Sequence, residues 1–249
     1  MPGVRFFVCL LVGLGAALVG SPCRAEAPAL NEVQKAAVEN LVHDYLVKNP
    51  EVLVEAMGVL RERQAQAETA DRRKGLKENR AALLNDPDAP IAGNPDGDVT
   101  MIEFFDYGCP YCKSVEKDLE TLLKTDGKIK LVLKELPVLG PASEMASKAA
   151  LAARAQGKYL QFHNILMTTR GQFTEESLMR LARSVGLDTD RLKVDMAGAA
   201  VEAALKANHG LAKSLSINGT PAFVVGDEVY PGAMDLAGFK QVVATARKG

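Results

Sequence analysis

The stretch Val99-Thr100-Met101-Ile102-Glu103-Phe104-Phe105-Asp106-Tyr107-Gly108-Cys109-Pro110-Tyr111-Cys112 decides the fold. Its first half is a short apolar run bearing a single acid, the pattern of a strand with a buried surface. Residues 109–123 then place Cys112, Val115, Leu119, Leu122 and Leu123 at helical spacing, and residues 129–133 form a second strand-like run. Strand, helix and strand in that order predict a crossover unit and hence a parallel sheet.

Working outward, residues 143–215 are almost wholly helical in pattern, with Ala146, Ala149, Ala150 and Ala153 forming a small-residue face and Thr174 and Asp188 placed as helix caps. Ala222–Val225, a Gly226-Asp227 turn and Val229-Tyr230 read as a hairpin, and Leu236–Ala246 as a closing helix. On the other side, residues 85–90 and 93–98 are two dense turn clusters, so 85–97 reads as a linker and the compact domain begins near Asp98. Ahead of it, residues 31–48 carry Val33, Ala37, Leu41, Val42 and Tyr45 on one helical face, and Asn49-Pro50 breaks that helix, Asn49 being placed to cap its successor. A second helix runs towards Leu84, apolar at Leu53, Met57 and Leu60 and then charged over 61–77. Such a pair has no partner within its own segment: it packs against copies from other chains or folds back as an intrachain collar.

Two thiols in a CxxC at the start of a helix can close a small disulfide ring. Helix-terminal N–H groups and partial positive charge favour the thiolate at Cys109, the species that attacks disulfides, while Cys112 lies one turn inward as the resolving thiol. An inert staple is the plain alternative, although so small a ring constrains little unfolded-chain entropy. Zinc ordinarily takes four ligands, and His43, His163 and His209 are scattered without ligand spacing, so no metal is expected; Cu(I), which suits soft thiolates, stays open. Glu103 is either a buried acid with a raised pKa, able to relay protons for Cys112, or a carboxylate on the wet face of an edge strand.

The chain has 249 residues, 47% hydrophobic and 24% charged, which suits one large domain or a domain with an appendage and excludes wholesale disorder. Its 30 Lys and Arg against 31 Asp and Glu lack the basic excess of a nucleic-acid binder. Arg5, the apolar run 6–19 and Ser21-Pro22-Cys23-Arg24-Ala25 read as a secretory signal cleaved after Ala25. The run is shorter than the ~20 residues that span a bilayer. A lipid anchor on Cys23 is disfavoured by Pro22. Cleavage removes Cys9 and Cys23, leaving Cys109 and Cys112 as the mature chain's cysteine pair.

Glu103-Phe104-Phe105 ahead of Cys109-Pro110-Tyr111-Cys112, a helical insertion and Gly219-Thr220-Pro221-Ala222-Phe223 together resemble the DsbA-like thioredoxin-fold oxidoreductases of the bacterial periplasm, over residues 98–248. The resemblance implies an α/β thioredoxin-like sheet with a helical domain inserted at about 140–215 and no cofactor. It implies that Cys109 is the nucleophile, Cys112 the resolving thiol and Glu103 the buried acid. Pro221 would be a cis-proline whose loop faces the dithiol and pairs with extended client backbone, with Pro110, Tyr111 and Thr220 completing the client-binding edge. DsbA itself has a histidine within the motif and no long N-terminal helical extension. Tyr111, Thr220 before Pro221, and residues 31–84 look more like the DsbG, DsbC and oligomeric suppressor-of-copper-sensitivity C types. That similarity implies a periplasmic isomerase or reductase acting on exported cysteine-containing proteins, served by a membrane redox partner and assembled as a homo-oligomer through residues 26–84. A disulfide-donating oxidase, and a copper-binding or chaperone protein using the dithiol as soft ligands, are the competing functions.

Overall fold

The computed structural model describes residues 30–248; residues 1–29, which include the expected signal with Cys9 and Cys23, and residue 249 lie outside the described residues. The chain divides into two compact units, the first ending at Gly58 and the second comprising Val59–Gly249.

In the first unit, α1 (Glu32–Lys48) opens on a capping box: the Asn31 side chain accepts the Gln34 N–H at 2.9 Å and the Gln34 side chain accepts the Asn31 N–H at 3.0 Å. Asn49, expected to cap the next helix, instead turns its side-chain amide back to donate to the Tyr45 carbonyl at 2.8 Å, closing α1. Helix α2 (Glu51–Leu84) begins immediately after Pro50. No residue of α1 is buried, and Val33, Leu41, Val42, Tyr45, Leu53 and Met57 are all at least half exposed in the single chain, Val33 at 80%.

The second unit is built on a five-stranded sheet ordered β1-β3-β2-β4-β5, comprising β1 (Ile91–Gly93), β2 (Val99–Phe105), β3 (Ile129–Glu135), β4 (Ala222–Val225) and β5 (Glu228–Pro231). Between β2 and β3 runs α3 (Pro110–Asp126), closed by Gly127 at φ +70. The expected parallel pairing is confined to β2 and β3; every other pair is antiparallel, so the sheet is mixed. The stretch 85–97, a linker by sequence, contains β1, which pairs with β3 from Ile91 opposite Val132 to Gly93 opposite Lys130.

Helices α4 (Pro141–Ala153), α5 (Tyr159–Thr168), α6 (Glu175–Ser184), α7 (Thr189–Met196) and α8 (Ala199–Ser214) form the insertion, and α9 (Leu236–Ala246) closes the chain. Thr174 and Asp188 cap α6 and α7. Ala146, Ala149, Ala150 and Ala153 are fully buried, which lets α4 approach its neighbours closely.

Alternation along β2 assigns the two faces. Val99, Met101 and Phe105 join the core containing Val115, Leu119 and Leu122 of α3, Phe239 of α9 and the helical insertion. Ile102 and Phe104 join a second core with Leu76 and Leu83 of α2 and Leu211 and Leu215 at the end of α8. A fully buried side chain of this size contributes about 1.5–3 kcal/mol, so the central strand is held from both sides. On the second face, Gly75 of α2 abuts the end of α8, where a Cβ would overlap the Ser214 carbonyl oxygen. Arg73 and Arg80 reach the β4–β5 turn through ion pairs to Glu228 at 3.0 Å and Asp227 at 2.8 Å.

Candidate active site

Cys109 is the N-cap of α3 and Pro110 occupies its first turn, where the missing proline N–H costs nothing. The Cys109 Sγ accepts the Cys112 backbone N–H at 3.4 Å, so the sulfur takes up one of the unpaired donors of the helix start. The same thiol donates to the Thr220 carbonyl at 3.3 Å. Thr220 precedes a cis peptide bond to Pro221, and the Pro221 carbonyl accepts the Gly232 N–H at 2.9 Å, tying this loop to the end of β5. Cys109 is 4% exposed and Cys112 fully buried, both as free thiols, whereas Pro110 is exposed and Tyr111 stands 68% exposed on the outer edge.

Glu103 lies on the central strand β2, opposite Leu133 of β3 and Phe223 of β4. The water-facing alternative therefore fails: the residue is 0% exposed and sits on the same face as Met101 and Phe105, towards α3. Neither carboxylate oxygen has a hydrogen-bond partner. Burial first, then the charges of Glu116 and Cys109, push its pKa well above the ordinary carboxylate range. Burial likewise pushes the Cys112 thiol strongly upward, with the Glu103 and Cys109 charges adding to the shift.

Three further polar groups surround this pair. Glu116, one turn beyond Cys112 on α3, is raised to about 7 by burial and by Glu120, and its Oε1 lies 3.9 Å from the His163 Nε2. His163 is pushed down to about 3 by burial, and its Nδ1 lies 3.0 Å from the Tyr107 hydroxyl. The fully buried Asp106 carboxylate accepts three backbone N–H groups, from Gly108 at 2.6 Å, Val138 at 2.8 Å and Leu139 at 3.0 Å. It thereby clamps the turn leading to the dithiol against the segment after β3. A Cβ at Gly108 would lie 2.5 Å from the Ser143 Oγ, so a larger residue there displaces that hydroxyl. Among the described residues, no group of three or more His, Cys, Asp or Glu side chains gathers in a metal-ligating cluster.

The arrangement of thiol pair, helix start, buried acid and proline loop coincides with the reach of a family model. Residues 100–244 match the DSBA-like thioredoxin domain. The chain belongs to that family. Residues 34–67 of this DSBA-like protein also match the copper resistance protein ScsC N-terminal domain. A thioredoxin-like oxidoreductase from Silicibacter pomeroyi DSS-3 is 47% identical, covering 69% of this chain and 99% of its own, with a TM-score of 0.67. Proteus mirabilis ScsC in a transitional conformation is 32% identical, covering 88% of this chain and 97% of its own, with a TM-score of 0.64. Among curated proteins, the Na(+)/H(+) antiporter NhaA 3 of Salinispora tropica is 29% identical over 164 residues, 65% of this chain. The chain spans only 25% of that antiporter's length, and no described helix is long and apolar enough to cross a membrane.

Within the DSBA-like domain, Cys109, Cys112, Thr220 and Pro221 converge, with Glu103 beneath the dithiol and Pro110 and Tyr111 on its outer turn. Asp106 and Glu116 were not singled out by sequence. Glu116 follows Cys112 at i+4 on an amphipathic helix, a spacing that brings two side chains onto one face. Asp106 carried no comparable signal, because Val138 and Leu139 lie far along the chain.

Proposed function

We propose that this DSBA-like protein is a thiol-disulfide oxidoreductase of the isomerase or reductase type, acting on exported cysteine-containing proteins in the periplasm. The observation that carries the reading is the position of the Cys109 sulfur, 3.4 Å from the Cys112 N–H at the helix start and 3.3 Å from the Thr220 carbonyl. Cys109 as thiolate attacks a client disulfide; one client sulfur joins Cys109 and the other leaves as thiolate. In reduction, the Cys112 sulfur then attacks Cys109 and releases the second client thiolate, so two client cysteines are reduced and the Cys109–Cys112 pair is oxidised. In isomerisation, the freed client thiolate attacks another client disulfide, and a client thiolate finally expels Cys109 without net redox change. Glu103 relays protons to or from Cys112: its raised pKa brings it closer to the thiol's than an ordinary carboxylate would be. The Thr220–Pro221 loop pairs with the extended client backbone, with Pro110 and Tyr111 along the same edge. A membrane redox partner returns the oxidised pair to the dithiol.

Self-association through residues 26–84 supports the isomerase or reductase direction, because it holds several dithiols together and away from an oxidising partner. Supporting it are the match of residues 34–67 to the ScsC N-terminal domain and the exposed apolar side chains of α1. Periplasmic placement rests on the reading of residues 1–25 as a cleaved signal. Refolding assays separate the directions: recovery of scrambled ribonuclease is expected, whereas oxidation of reduced ribonuclease without such recovery would identify an oxidase.

A further inference from the structure

A cavity of about 230 Å³ opens beside the Thr220–Pro221 loop, walled by Arg72 of α2, Ser216, Thr220 and Pro221 of the loop, and Pro231 and Gly232 at the end of β5. We propose that this cavity is a client subsite for a carboxylate, an Asp or Glu side chain flanking the client's reacting cysteine. The inference rests on the exchange activity proposed above and names the substrate class of that same site.

Location is the first argument. Thr220 belongs both to the cavity and to the dithiol, its carbonyl lying 3.3 Å from the Cys109 Sγ. An extended chain reacting at Cys109 and paired along the loop therefore passes the cavity mouth. Size is the second: the volume falls below the ~300 Å³ at which pockets for small-molecule ligands begin, so one side chain suits it better than a cofactor.

Chemistry supplies the third. Arg72 is the single charged side chain among the described lining residues; the others are apolar or neutral. Its Nε is buried without a hydrogen-bond partner. The neighbouring Glu68 engages only Nη2, at 3.4 Å, and is itself 57% exposed. Held only by this long contact to an exposed carboxylate, the guanidinium leaves a positive charge at the cavity wall that a client carboxylate can pair with. The helix carrying it is fixed nearby, since Leu76 is buried against the sheet and Gly75 against the end of α8.

The test measures kcat/KM of the full mature chain, kept reduced by glutathione, with matched cysteine peptides presented as mixed disulfides and carrying Glu or Gln at successive positions on either side of the cysteine. At one position the Glu peptide is expected to react about fivefold better, the scale of a partly screened charge-assisted pair. That preference should shrink at high salt, vanish in Arg72→Met and survive in part in Arg72→Lys. Equal rates at every position, or a preference unchanged in Arg72→Met, would overturn the subsite. Because each ratio is taken within one protein, a loss of folded fraction cannot imitate the result. Reaction of the wild-type chain with uncharged bis(2-hydroxyethyl) disulfide checks the underlying activity: no exchange there overturns the oxidoreductase reading itself, whereas exchange without a Glu preference overturns the subsite alone.

Discussion

The Cys109 sulfur lies 3.3 Å from the Thr220 carbonyl oxygen, joining two segments 111 residues apart. Helix α3, β3 and the whole helical insertion lie between them along the chain. The site is therefore a product of the whole second unit rather than of its CxxC turn.

The Asp106 clamp is the most exposed to test among the supporting contacts. Asp106→Asn keeps the shape but turns an acceptor into a donor facing backbone N–H groups. Loss of charge-assisted bonds at a buried site should cost about 2–4 kcal/mol in urea unfolding. A change below about 0.5 kcal/mol would show that the turn before Cys109 is held by other means.

Glu135 predicts an unusual pH dependence. Burial raises its folded pKa from the ordinary 4.5 to about 7, the Tyr159 hydroxyl partly opposing the shift. A carboxyl with a raised folded pKa favours folding fully below pH 4.5, and that contribution is lost as pH rises through about 7. Glu116, also raised to about 7, acts in the same direction, while His163, depressed to about 3, opposes it by losing its contribution as pH falls below 6.5. Glu135→Gln retains an acceptor for Tyr159 and should gain stability at pH 8 relative to pH 5, on the order of 3 kcal/mol by linkage. Parallel pH profiles for the two proteins would contradict the assignment.

Gly75→Ala weighs two opposed effects. Alanine improves helix propensity by about 1 kcal/mol, but its Cβ meets the Ser214 carbonyl, a backbone group that cannot rotate away. Overpacking of this kind costs about 1–3 kcal/mol, so a net loss is expected in denaturant unfolding. A stabilised variant would mean that α2 does not dock on α8 as described.

Self-association predicts that the chain beginning at residue 26 has a multimeric mass by light scattering. Glu at Leu41 and Leu53, 70% and 51% exposed, should lower that mass without touching the dithiol. A monomeric parent would exclude the oligomer.

Much of this was legible in the sequence where short-range patterns decide. The α3 spacing that buries Cys112, Val115, Leu119 and Leu122, the caps at Thr174 and Asp188, and the closing helix Leu236–Ala246 all depend on neighbours within a turn or two. Glu103 was ambiguous because alternation says which residues share a face, not which face is wet; pairing of β2 between β3 and β4 settles that. Strand β1 is too short, between two turn clusters, to show a period. Asp106 escaped notice because its partners Val138 and Leu139 are brought to it only by the β2–α3–β3 crossover.

Trapping with a cysteine-containing client measures the central claim most directly. With Cys112→Ala, the sulfur that releases the client is gone, and mass spectrometry should find a stable mixed disulfide through Cys109; with Cys109→Ala, whose remaining Cys112 is fully buried, it should find none. A mixed disulfide formed through Cys112, or equal trapping by both variants, would contradict the account.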